Sequence, residues 1–177
     1  TDEPVGAAED LAAFAETCRV HGASSVTVAD DEAEVARLLA ARRLLNPAMR
    51  EYRGASLNED VCVPRSQLPA VLAAIEALSA EIGLPIGTGG HVGDGNLHPV
   101  VAYDPDDDAQ VAVARGAHER IMALAVAHGG TVSGEHGIGT EKLAALHLEL
   151  TPHVRALQRS LKSVLDPAGI LNPGKKL

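Results

Sequence analysis

Six apolar residues, Leu68, Val71, Leu72, Ile75, Leu78 and Ile82, recur at three- and four-residue steps and form the cleanest stripe in the chain. A stripe with that period defines a helix that must bury one face. Ser66 is placed to cap its start, and Gly83 to end it. The alternating stretch Asp60–Pro64 precedes it as a strand, and Leu84–Tyr103 follows it as a hairpin. A one-faced helix set between a strand and a hairpin constrains the chain to layers. The fold class is therefore α+β: an antiparallel sheet with helices on one face, plus C-terminal helices.

The remaining elements follow from similar signals. Pro4–His21 reads as a helix, with Val5, Ala8, Leu11, Ala15 and Cys18 on one face and Gly22 closing it. Ser24–Ala29 alternates as a short strand. A second helix starts at Asp30, Asp31 and Glu32, whose charges suit a helix N-terminus, and runs to Asn46 before Pro47. Arg50–Asn58 reads as polar and irregular. A long helix is expected from Asp107 to His128, ended by Gly129 and Gly130, and a short one at Lys142–Leu148. Thr151 with Pro152 starts the last helix, whose buried face would be Val154, Leu157, Leu161 and Val164. The first helix has no strand before it, as though a βαβ-type unit were cut just inside its first strand.

Composition narrows the class further. With no Trp, one Phe and two Tyr in 177 residues, the interior must be filled by alanine and small aliphatics. A formal charge of −9 without a long basic run argues against nucleic acid as a partner. No segment has the length of a transmembrane span. Cys18 and Cys62 are isolated, one a small core residue on a helix and the other a strand residue, which fits a reducing compartment. The chain opens at Thr1 and its first Met is Met49, which fits processing, a tag scar or a piece of a longer protein equally well.

"HVGDGNLH" carries the first chemistry. If Asp94 and Gly95 form a two-residue turn, His91 stands opposite His98, with their Cβ atoms roughly 5 Å apart. "SGEHGIG" adds Glu135 and His136. Two imidazoles and a carboxylate are a common three-ligand set for a divalent transition metal, with positions left open for substrate or water. Against this, a histidine pair across a hairpin is more often simply solvated, and Glu135 must be delivered by the fold. Asp94 reads as a turn former. His118 falls in register with Val111, Ala114, Ile121 and Ala125, as a hydrogen-bonded core histidine would. His21, His128 and His147 lie near helix ends. "GTGGHVGDG" lacks the order of a dinucleotide-binding loop, and there is no Walker lysine or G-x-S-x-G elbow.

Taken together, "HVGDGNLH", "GEHGIGTEK" and "LDPAGILNPGK" resemble the C-terminal region of FAD-linked oxidases. That group contains glycolate oxidase flavoprotein subunits, D-lactate dehydrogenases and D-2-hydroxyglutarate dehydrogenases. The resemblance spans residues 1–177 and implies a ferredoxin-like cap over a flavin. The N-terminal domain that holds most of the FAD is expected to be absent from this chain, and the isolated fragment to be inactive. The implied reaction oxidises a D-2-hydroxy acid to a 2-oxo acid, with hydride passing to FAD.

By motif match the resemblance makes His91, His98 and Glu135 metal ligands and His136 the base. Asn96 would face substrate and flavin, and Asn172 would lie near the flavin ring. Arg42, with Arg43 as its rival, would bind the substrate carboxylate. Zn²⁺ or Mn²⁺ suits the ligand set, with Fe²⁺ as an alternative. Leu39 stands where the family usually has Trp. Asn58 stands where members accepting a second carboxylate carry lysine, which points to a monocarboxylate such as lactate or glycolate. The other expected partners are the FAD-binding domain and an electron acceptor, in a cytoplasmic setting with peripheral membrane association left open. A free-standing, non-catalytic metal-binding module derived from the same cap is the alternative reading.

Overall fold

The computed structural model describes residues 6–176. Its contacts divide the chain into two units, one ending at Arg43 and the other beginning at Leu44. The first unit contains two helices, α1 (Ala7–Val20) and α2 (Glu32–Arg43). Pro4 and Val5 of the expected first helix lie outside the described residues. Residues 24–30 form no strand, contrary to the alternation read at Ser24–Ala29. An alternating stretch becomes a strand only when a neighbour completes its ladder, and this unit holds no second strand among the described residues.

The second unit opens with α3 (Leu45–Arg53), and here the expected boundary fails. Pro47 does not stop the helix. It occupies the first turn, where its missing N–H has no intrahelical partner to lose. The stretch read as irregular thus becomes the end of α3 followed by β1 (Ala55–Asn58). Next come β2 (Val61–Cys62), a 3-10 turn, α4 (Leu68–Ile82), β3 (Ile86–His91), β4 (Asn96–Tyr103) and α5 (Asp108–Ala127). α6 (Leu146–Glu149) and α7 (Pro152–Leu165) complete the unit.

The strands form an antiparallel sheet in which β4 is central. β3 lies along one of its edges, and β1 and β2 along the other. Asn58 pairs with Val100 and Val61 with Leu97, so both segments share one register, and Asp60 falls opposite His98. The ladder breaks opposite Pro99, which has no N–H to donate, although its carbonyl accepts from Glu59 N at 2.8 Å. Beyond this strand, Thr131 forms an antiparallel bridge with Cys62. The succession is the ferredoxin-like βαββαβ order, with its last strand reduced to that bridge.

One face of the sheet makes the core. Leu97 and Val101 of β4 and Val61 of β2 join Val71, Ile75 and Leu78 of α4 and Ala114, Ile121 and Met122 of α5. The expected stripe on α4 is buried at Leu68, Val71, Ile75 and Leu78, while Leu72 lies at the solvent edge. α3 lies over the other face: Leu45 Cδ1 comes within 3.2 Å of where a side chain on Gly87 would begin.

Two helices start on side-chain caps, and that at Thr151 matches its sequence signal. Asp107 accepts from Ala109 N and Gln110 N at the start of α5. Thr151 accepts from Val154 N at 3.3 Å at the start of α7. Thr151→Ala should lower stability by about 1 kcal/mol in urea unfolding, with no change at the sheet. The expected buried face of α7 is not buried: Val154, Leu157, Leu161 and Val164 are all exposed. Periodicity aligns apolar side chains, but it does not supply the surface that covers them. Among the described residues, no helix is long and apolar enough to cross a membrane.

Candidate metal centre

The hairpin closes one pair earlier than a two-residue turn allows. His91 pairs with Asn96 and His98 with Gly89, leaving a four-residue loop, Val92 to Gly95. A type I′ turn at Asp94–Gly95 needs positive φ at both positions. Gly95 supplies it at +82°, whereas Asp94 is absent from the non-glycine residues with positive φ. Asp94 still builds the turn: its N–H and that of Gly95 donate to His91 O, and its carboxylate accepts from Asn96 N at 3.2 Å.

His91 and His98 are therefore diagonal rather than directly opposed. Side chains alternate along a strand, so both remain on the face away from α4 and α5. Their ring centroids are 5.4 Å apart, edge to face.

Asp60 shares that face and organises it. The carboxylate accepts from Asn96 Nδ2 at 2.7 Å and from the backbone N–H groups of Gly134, Glu135 and His136 at 2.9, 3.0 and 2.8 Å. Ser133 Oγ donates to it at 3.2 Å. Glycine is required at 134, because a Cβ there would sit 1.8 Å from Asn96 Nδ2. Burial works to raise the Asp60 pKa. The donors from His136, Asn96 and Glu135, with the charge of Lys142, outweigh it and hold the carboxyl well below the usual aspartate range.

Held in this way, the loop brings Glu135 and His136 to the hairpin. Glu135 Oε1 lies 3.1 Å from His98 Nε2, 3.5 Å from His91 Nε2 and 3.7 Å from His136 Nε2. The His136 ring stacks on His98 with centroids 5.0 Å apart and planes 14° from parallel.

Donor atoms bonded to one ion at about 2.0–2.2 Å stand about 2.8–3.6 Å apart for tetrahedral or octahedral angles. Both imidazole-to-Glu135 distances fall in that span, and the donor atoms of His91, His98 and Glu135 all lie within 4.8 Å of one another. Two nitrogens and one carboxylate oxygen suit a divalent transition metal. The residues fit the ion.

Beneath the site, sequence reasoning missed a buried charged group. Lys142 donates to the main-chain oxygens of Asp60 and Val132 and lies 3.2 Å from Glu59 Oε2. Glu59 and Asp60 are each 1% exposed and Lys142 5%. His118 is half-buried and places Nδ1 2.8 Å from Glu59 Oε1, but without the geometry of the hydrogen bond its register suggested. The available signals were the acid pair entering the strand "NEDVCV" and the lysine ending "GEHGIGTEK".

Asn96 is buried beside the cluster, and its Oδ1 has no hydrogen-bond partner among the described residues. Asn172 sits apart from these contacts, on an exposed turn at φ +46°. The chain end after that turn returns to the Gly139 loop, where Lys176 N donates to Gly139 O at 3.1 Å. Arg42 lies in the last turn of α2, in the first unit. Cys18 and Cys62 are free thiols, on α1 and β2 respectively.

The ferredoxin-like sheet thus carries three converging donors on the face away from α4 and α5. Residues 1–176 match the family described as FAD linked oxidases, C-terminal domain, and the chain belongs to that family. It is 36% identical over 156 residues to glycolate oxidase subunit GlcD of Escherichia coli K12, covering 88% of this chain and 31% of that protein. It is 38% identical over 178 residues to a probable mitochondrial D-lactate dehydrogenase of Danio rerio, covering 96% and 34%. A D-2-hydroxyglutarate dehydrogenase of Xanthomonas citri is 36% identical over 170 residues, covering 93% and 35%. The chain thus spans about a third of the length of these relatives.

Proposed function

We propose that this chain is the substrate- and metal-binding part of a flavin-dependent D-2-hydroxy acid dehydrogenase, acting on a monocarboxylate of the D-lactate or glycolate kind. The observation that carries the reading is the convergence of Glu135 on His91 and His98, with His136 stacked beside them. The family and the names of the relatives support the reaction class.

His91, His98 and Glu135 would hold a divalent ion, Zn²⁺ or Mn²⁺, which when bound supplies polarisation of a hydroxy acid's oxygens. FAD, held by the rest of the flavoprotein, supplies the hydride acceptor. The chain's own residues do the remaining work. His136 takes the hydroxyl proton, a role suited to an imidazole near neutral pH. Arg42 offers a guanidinium fork to the substrate carboxylate. Asn96 has committed its amide N–H₂ to Asp60 and Val61, and its role toward substrate and flavin rests on the family resemblance. Asn172 is assigned to the flavin side. Asn58 shares the sheet face of Asp60 and His98, two positions from Asp60, and brings no charge for a second carboxylate.

The test uses the complete flavoprotein containing this chain, mixed anaerobically with D-lactate, glycolate or D-2-hydroxyglutarate. Flavin bleaching should be fastest with one of the monocarboxylates. His136→Ala should slow it by about 10²–10⁴-fold, the usual worth of a positioned base. A flavin-loaded protein that none of the three acids bleaches would overturn the proposal. The isolated chain should be colourless and should not reduce a dye with D-lactate; a yellow, active preparation would contradict the division of labour.

A further inference from the structure

Two overlapping groups around His98 have the atoms to hold a cation: His91, His98 and Glu135, or Asp60, His98 and His136. They differ in what their carboxylates already do. Glu135 is about half exposed and faces the imidazoles. Asp60 Oδ1 accepts from Asn96 Nδ2 and Glu135 N, and Oδ2 accepts from Ser133 Oγ, Gly134 N, Glu135 N and His136 N. A carboxylate has about four lone-pair sites. Those of Asp60 are spent, and none is left for an ion.

We infer that Asp60 is a positioning residue of the metal centre: it never touches the ion, and it fixes Glu135 and His136 against His91 and His98 before any ion arrives. This deepens the ligand set proposed above and rests on it. The geometry has two parts. On the loop side, three consecutive N–H groups close on one carboxylate, so the backbone of Glu135 and His136 is set while their side chains remain free to face the hairpin. On the strand side, Lys142 joins the main-chain oxygens of Asp60 and Val132, tying the strand to the residue just before the loop. Asn96 anchors the same carboxylate from β4, between the two histidines in sequence. One anion thereby connects the elements that supply the ligands. A disordered 133–136 segment would have to be ordered at each binding event, and that cost would appear as lost affinity.

Co²⁺ is the probe, titrated into the chain and followed by its visible absorption. Asp60→Asn should retain the fold by circular dichroism and bind Co²⁺ about 10–100-fold more weakly, as loss of an outer-shell partner does elsewhere. The residual complex should keep the wild-type band positions, because its ligands are unchanged. A folded Asp60→Asn chain with wild-type affinity overturns the inference. If that variant does not fold, Gly134→Ala serves in its place. Its Cβ would press on Asn96 Nδ2 and Asp60 Oδ1 while leaving the buried charges paired, and the same weakening is expected. Hydrogen exchange on the unaltered, metal-free chain decides independently: the amides of 134–136 should be protected, and exchange at open-loop rates overturns the clamp. Protected amides in a chain that takes up no Co²⁺ would overturn the ligand set instead, which separates the two failures.

Discussion

Lys142→Met should lower folding stability by roughly 3–5 kcal/mol, the range for removing one member of a buried charged group. Methionine keeps most of the stem volume, so the loss reports the ammonium rather than a cavity. The ammonium donates to the main-chain oxygens of Asp60 and Val132 and lies 3.2 Å from Glu59 Oε2 and 3.9 Å from Asp60 Oδ2. Without it, two carbonyls lose their donor, and Glu59, 1% exposed, loses its cation. Urea unfolding measures the effect. A loss under about 1 kcal/mol would show that the group is not the fastening described. Lys142→Met combined with Glu59→Gln should cost less than the sum of the two single changes, because the second removes the charge that the first leaves unpaired.

The second large effect concerns acid. The folded pKa of Asp60 lies below its unfolded value, for which about 3.9 is usual. The stabilisation it contributes is therefore complete above that value and is lost as pH falls through it toward the folded value. Wild-type stability should drop steeply on acidification below about pH 4. Asp60→Asn, weaker at neutral pH, should approach the wild-type curve as the wild-type carboxyl becomes protonated. Parallel curves down to low pH would show that this carboxylate does not carry the acid sensitivity.

The elements most legible in the sequence are those whose signals are local. The stripe of α4, Asp107 at the start of α5 and Thr151–Pro152 at the start of α7 each specify a helix from within a few residues, and each matches the structure. Signals that need a distant partner were less legible. Ser24–Ala29 alternates but has no neighbouring strand, and the apolar face of α7 has no cover among the described residues. Pro47 reads as a stop in sequence, which does not show whether a proline falls inside a helix or in its first turn.

The site divides in the same way. His91, His98, Glu135 and His136 were recognisable from two glycine-flanked motifs, and the fold brings those four together. Their register was not legible, because the sequence does not show whether Asp94 takes the positive φ that a two-residue loop requires. The buried support was also hidden. Glu59, Asp60 and Lys142 look like surface charges in sequence and become interior only through contacts spanning up to 83 positions.

The central claim is that one cation sits between His91, His98 and Glu135. Anomalous diffraction at the zinc edge, from crystals of the chain grown with Zn²⁺ at neutral pH, tests it most directly. A peak is expected about 2.0–2.2 Å from His91 Nε2, His98 Nε2 and Glu135 Oε1. A peak on Asp60, or none near the three donors while zinc binds elsewhere, would contradict it.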